Sequence, residues 1–186
     1  LLRIKSEFLL NKHIKSIADF KGLKISPTGR TDLLIQSLGG VPVEIGGREI
    51  YTAMDRGLLD GYVWSDSGHF GSWKEVTKYI LDHPVLSAAT FTTVMNLDKF
   101  NSLPKHLQDA LKAAAAEYEP IMAKYYAGLR DKEQQQMIKA GVKYIKLPVE
   151  EAKKIVDSAD GLAWKMVKKA VKANSYPKLR KVLLQQ

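Results

Sequence analysis

Ser16-Ile17-Ala18-Asp19-Phe20-Lys21-Gly22-Leu23-Lys24-Ile25-Ser26 is the stretch whose reading decides the fold. A serine followed three residues later by an acid resembles a capping box, and Gly22 ends the helical turn it opens. A short buried strand follows over 23–25, so Ser26 stands at a strand's carboxyl end, where a parallel sheet places binding residues. Glu49-Ile50-Tyr51-Thr52-Ala53-Met54 and then Gly57-Leu58-Leu59-Asp60-Gly61 repeat the pattern. Here a helix over 48–56 turns Ile50, Ala53 and Met54 inward, Gly57 caps it, and a strand lies within 58–64. Between the two blocks, Pro27-Thr28-Gly29 is a turn signal. A helix over 30–38 ends at Gly39-Gly40, and 41–45 is a strand. Residues 16–64 therefore read helix, strand, helix, strand, helix, strand. That alternation predicts an α/β fold with a parallel or mixed sheet flanked by helices.

Working outward, Phe8-Leu9-Leu10 marks a strand within 1–12. The loop after Trp64 runs over 65–71 into a helix reaching Val76. Residues 88–96, rich in β-branched side chains, read as a strand. Pro104 opens a long helix running to Ala140, in which Pro120 is expected to produce a kink or break, and which Gly141 ends. Tyr125, Tyr126 and Trp164 are expected to pack in the core. A strand over 142–147 leads to Pro148 and a last long helix that fades near Asn174. A short terminal helix follows Tyr176-Pro177.

The 186 residues are 45% apolar, enough for one large domain or two small lobes with a real core. No apolar run reaches the length of a membrane span. Cysteine is absent, which excludes disulfides and thiol chemistry. The chain opens Leu1-Leu2-Arg3 without a methionine or a signal-peptide pattern, so it is expected to be a processed product or a piece of a longer chain. The net charge is +9, and residues 146–181 hold ten basic against four acidic side chains. Those lysines fall opposite an apolar stripe of Ile155, Ala159, Leu162, Met166 and Ala170, with no interleaved aromatics. That pattern is a solvated helix face rather than a nucleic-acid platform. His13, His69, His83 and His106 have no metal-ligand spacing, so neither metal nor cofactor is expected. No nucleophile elbow, P-loop or dinucleotide fingerprint is present, which argues against an enzyme.

Taken in order, four blocks resemble the solute-binding receptors of TRAP (tripartite ATP-independent periplasmic) transporters, the DctP family. They are Asp19-Phe20-Lys21-Gly22-Leu23-Lys24-Ile25, Leu38-Gly39-Gly40-Val41-Pro42-Val43, the Glu49–Gly61 pair already quoted, and Val94-Met95-Asn96 with Leu103-Pro104. The resemblance covers about residues 10–145. It implies a two-lobed periplasmic-binding-protein-like fold that closes around a small organic acid and docks on membrane permease subunits. It also implies that the chain supplies the second lobe. Residues 4–89 and 130–186 would form that lobe, and 90–129 would be a hinge strand and long hinge-crossing helix belonging with a first lobe not included here. The exposed face around Leu107, Leu111 and Ala114 is then expected to drive self-association.

The same resemblance marks site residues and departures. The family's carboxylate-binding arginine is replaced by Ser26, which offers one neutral hydrogen bond in place of a guanidinium fork. Arg30, expected at the start of the next helix, is the candidate replacement cation, with Thr28 beside it. Trp64 is expected to wall the ligand, with Ser65 and Asp66 following in the same loop. Val63 stands where some relatives carry a metal-holding glutamate, which argues against a metal-bridged ligand. Two alternatives remain open from the residues alone: an effector-binding domain of a transcription regulator, and a small α/β enzyme.

Overall fold

The computed structural model describes residues 5–68, 72–83, 93–172 and 175–183. Among these residues six strands form one sheet: β1 (Ser6–Leu10), β2 (Lys24–Ser26), β3 (Val41–Pro42), β4 (Gly61–Ser65), β5 (Tyr79–Leu81) and β6 (Lys143–Ile145), in the order β3-β2-β4-β1-β5-β6. β2 runs parallel to β3 and β4, and β5 runs parallel to β6. β1 lies between these two groups and is antiparallel to both β4 and β5. The sheet is thus mixed, as the alternation of elements predicts.

Among the described residues seven α-helices accompany it: α1 (Asp32–Ser37), α2 (Ile50–Asp55), α3 (Trp73–Val76), α4 (Leu97–Asn101), α5 (Lys105–Lys139), α6 (Val149–Ala170) and α7 (Tyr176–Leu183). Side-chain alternation along the strands separates two cores. Phe8, Leu10, Ile25, Val63 and Leu81 point to one face, where they pack with Leu34 and Ile35 of α1 and Ile155 of α6. Leu9, Tyr62 and Ile80 point to the other, against Ile50, Ala53 and Met54 of α2, Trp73 of α3 and Met137 near the end of α5.

The quoted motifs have identifiable structural roles. Ile17–Phe20 is a 3-10 turn, and the Asp19 carboxylate accepts hydrogen bonds from the backbone N–H groups of Lys15 and Ser16 at 2.7 and 3.0 Å. Those two bonds hold Asp19 below the usual carboxylate range. Gly22 follows with φ +76°. Asp60 anchors the start of β2: its carboxylate accepts the Lys24 N–H at 2.9 Å and pairs with Lys12 at 2.8 Å. Partial burial works against its ionisation, but these partners hold it below the usual range.

Some boundaries differ from expectation. α1 begins at Asp32, so Arg30 belongs to the preceding turn rather than the helix. The Thr31 hydroxyl explains this: it accepts the Thr28 N–H and donates to the Thr28 carbonyl, both at 2.9 Å, closing a turn before the helix starts. β3 spans two residues, an edge strand containing a proline that cannot donate to a ladder. α5 continues through Pro120 without a break. One backbone donor is lost there, and the helix around it is exposed, so water can satisfy the freed carbonyl. For the same reason Tyr125 is exposed rather than packed in the core, while Trp164 is half-buried against Tyr176. Of the α6 stripe, Ile155 and Ala159 are buried, Leu162 and Met166 are half-buried, and Ala170 is exposed where the helix ends. The strand expected over 88–96 falls mostly outside the described residues, and 93–96 form no strand.

Candidate functional site

β2 and β4 run in the same direction and β1 opposes them, so the carboxyl ends of β2 and β4 and the beginning of β1 share one edge of the sheet. β5 is also antiparallel to β1, which brings its carboxyl end to that edge. The candidate site lies there.

Ser26 ends β2 in register with Tyr62, and alternation with Ile25 turns its side chain towards the Tyr62 face. The residue is 1% exposed, and its hydroxyl has no hydrogen-bond partner among the described residues. A buried unsatisfied hydroxyl costs about 1–3 kcal/mol, so its retention calls for an explanation. Trp64 lies two residues beyond Tyr62 on the same face. Its ring meets Trp73 edge-on with centroids 4.9 Å apart, and its indole N–H donates to the Gly68 carbonyl at 3.3 Å. Trp73 in turn packs edge-on against Tyr62, whose hydroxyl is hydrogen-bonded to Thr77 at 2.7 Å. An aromatic stack therefore holds Trp64 half-buried at the edge.

The other expected residues take separate places. Ser65 donates its hydroxyl to the Ser67 carbonyl, tightening the loop. Asp66 is buried; its backbone N–H donates to the Lys5 carbonyl at 2.8 Å, and its carboxylate lies 3.9 Å from the Arg130 guanidinium. Thr28 sits in the turn closed by Thr31. Arg30 is 67% exposed at its side chain, 4.0 Å from Asp32. It lines a groove with Leu33, Leu162, Lys165 and Met166, against α6. The structure thus brings Ser26, Trp64 and Asp66 to one edge and directs Arg30 towards α6.

Three residues at this edge were missed from the sequence: Glu7, Arg130 and Tyr144. Glu7 pairs directly with Trp64 across β1 and β4. Burial, then the neighbouring Asp66 and Asp82 carboxylates, push its carboxyl up to about 7, against the pull of Lys5 and Arg130. Tyr144 of β6 is pushed up to about 12, first by burial and then by Glu7, Asp82 and Asp66. The available signal was the acid placed among apolar neighbours in Ser6-Glu7-Phe8-Leu9-Leu10. Its partners lie far along the chain, and local spacing does not reveal them.

Among the described residues, no cluster of histidines and acids could hold a metal ion, and no helix is long and apolar enough to cross a membrane.

Comparison with known proteins bears on the family and the fold. The chain is 31% identical over 137 residues to the monocarboxylate 2-oxoacid-binding periplasmic protein of Nostoc sp., a match covering 72% of this chain and 38% of that protein. A TRAP periplasmic solute binding protein from Rhodoferax ferrireducens, solved with bound malonate, superposes with a TM-score of 0.72 at 26% identity, over 99% of this chain and 59% of that one. One from Chromohalobacter salexigens, solved with bound (S)-(+)-2-amino-1-propanol, has the same fold at a TM-score of 0.74 and 18% identity, over 98% of this chain and 56% of that one. The chain therefore spans well under two thirds of the length of these relatives. The sequence profile of the bacterial extracellular solute-binding proteins, family 7 (DctP), matches residues 6–170, and the chain belongs to that family of binding proteins.

Proposed function

We propose that this chain is the second, ligand-binding lobe of a periplasmic TRAP receptor that captures a small organic acid between two lobes and delivers it to the membrane permease subunits. The observation that carries the reading is the buried, unpartnered Ser26 hydroxyl on the same sheet face and edge as Trp64, in a chain of a solute-binding family. A solute oxygen would satisfy that hydroxyl, and the indole would wall the solute's apolar side. Thr28 and Arg30 lie in the turn beyond β2, but Arg130, against Asp66, is the cation better placed for this edge. The acid class is supported by the 2-oxoacid-binding relative and by the malonate in the Rhodoferax structure. Solute binding would shift an open–closed equilibrium, and the closed form would dock on the permease.

Thermal-shift screening of the full-length protein tests the reading. At 100 times its dissociation constant a ligand adds about 2.7 kcal/mol of stability, so pyruvate or malonate should raise the melting temperature clearly. A shift with neutral solutes and none with carboxylates would defeat the acid assignment. Trp64→Ala should weaken binding of the responding acid about tenfold, since an indole wall against the solute's apolar side is worth of order 1 kcal/mol. Unchanged affinity in a folded variant would remove Trp64 from the site.

The proposed lobe boundary puts 4–89 and 130–186 together and assigns 90–129 to contacts with a first lobe. It is supported by α5, where residues 109–121 are exposed throughout and include Leu111, 48% exposed. Leu107, 43% exposed, extends this uncovered face, which includes Ala114. The 186-residue chain by itself is therefore expected to self-associate through α5. Sedimentation across a concentration series checks this, and a monodisperse monomer would contradict it.

A further inference from the structure

We propose that Glu7 is a proton-carrying contact of the solute, so that the receptor takes up an anionic solute and a proton together. The proposal rests on the reading of the chain as a receptor for small carboxylates. Its basis is placement. Glu7 stands directly opposite Trp64, and alternation with the core residue Phe8 puts it on the Trp64 face. Ser26 lies on that face at the same edge, 1% exposed and with its hydroxyl unpartnered among the described residues. Three neighbouring strands, β2, β4 and β1, therefore offer a hydroxyl, an indole and a carboxyl on one face, with Ser26 set two residues back from the Trp64–Glu7 pair. A small acid laid across the edge would meet the half-buried carboxyl and indole, with the buried Ser26 hydroxyl behind them.

The charges around Glu7 determine which of its forms can receive an anion. Asp66 follows β4, Asp82 follows β5, Lys5 immediately precedes β1, Arg130 comes from α5 and Tyr144 from β6. Arg130 is shared with Asp66 at 3.9 Å and with Asp131 at 3.6 Å, and Asp82 is engaged by Lys146 at 3.4 Å. The two acids beside Glu7 already disfavour its ionised form, and an arriving carboxylate adds a further negative charge. Neutral Glu7 donates its O–H to the solute's carboxylate oxygen, whereas ionised Glu7 repels it. The proton comes from solvent and no covalent bond changes. With the carboxyl titrating at about 7, the competent fraction falls about tenfold between pH 6 and pH 8, and the apparent affinity falls with it.

The test is calorimetric titration of the full-length protein with pyruvate at pH 6 and pH 8, in buffers of different ionisation enthalpy. Pyruvate remains a single anion across this range because its carboxyl ionises well below it, so only protein groups titrate. The expected result is binding about tenfold weaker at pH 8. Close to one proton should be taken up per solute at pH 8 and little at pH 6. Glu7→Gln, which mimics the neutral form, should hold the pH 6 affinity at both values and abolish the uptake. Equal affinity at the two pH values, or tighter binding at pH 8, overturns the coupling while leaving the receptor for carboxylates intact. Failure of both pyruvate and malonate to bind at either pH defeats the carboxylate reading itself and the coupling with it. The wild-type profile decides the matter even if the variant does not fold.

Discussion

Gly61→Ala should destabilise the fold by about 3 kcal/mol, a large share of the 5–15 kcal/mol that holds a typical domain together. Gly61 opens β4, in register with Leu10 of β1 on one side and Ile25 of β2 on the other. A Cβ there would fall 2.5 Å from the Leu10 Cδ2 atom and 2.7 Å from the Leu9 carbonyl oxygen. The leucine methyl could rotate away, but the carbonyl cannot. Leu9 is fully buried and paired with Tyr62 on one side and Ile80 on the other, so relief requires β1 to move and both ladders to adjust. The constraint is space and not dihedral freedom, since Gly61 is not among the positive-φ glycines. This accounts for the glycine of the Asp60-Gly61 motif: a strand residue without a side chain lets a neighbouring backbone approach closely. Urea denaturation of the variant measures the loss, and a change within 0.5 kcal/mol, the size expected at an unconstrained surface site, would refute the steric account.

Glu7→Gln should stabilise the fold by about 2 kcal/mol at pH 8, with the gain gone by pH 4. The sign follows from where the proton is held. Folding raises the carboxyl from an ordinary 4.5 to about 7. Below 4.5 both folded and unfolded chains carry the proton, and the group is neutral towards stability. As the pH rises from 4.5 to 7, the unfolded chain releases its proton first, so unfolding becomes easier; above 7 the full penalty of a buried, repelled carboxylate is present. Glutamine removes that penalty while keeping the shape. Partial solvent access keeps the expected gain below the full value of the shift. Paired denaturation curves at pH 8 and pH 4 provide the check, and a gain of equal size at both would show that ionisation is not its source.

The motif-bearing half of the fold was readable because its signals are local. Gly22, Gly57 and Gly141 all end helical turns with positive φ, and Ile50, Ala53 and Met54 face inward as their spacing requires. Failures arose where a side chain or solvent set the outcome. The Thr31 hydroxyl trims α1 and leaves Arg30 in a turn, and solvent around Pro120 lets α5 continue. The candidate site divides in the same way. Ser26, Trp64 and Asp66 follow from position at strand ends, whereas Glu7 and Arg130 enter through pairings across the sheet and from α5. Ser26 at the end of β2, where the resemblance implies an arginine, and an acid opposite Trp64 make this edge less cationic than the resemblance implies.

The central antiparallel strand has a consequence for biosynthesis. β1 leaves the ribosome before either of its partners, β4 or β5, and its Phe8-Leu9-Leu10 segment must wait until both exist before it is paired on each side. At ordinary elongation rates that wait lasts several seconds, during which a strongly apolar segment lacks both of its partner strands. The parallel strands β2 and β3 can associate meanwhile, but β4 and β5 are joined only through β1. Completion of this sheet is therefore a late, non-local event, and chaperone dependence should centre on Phe8-Leu9-Leu10.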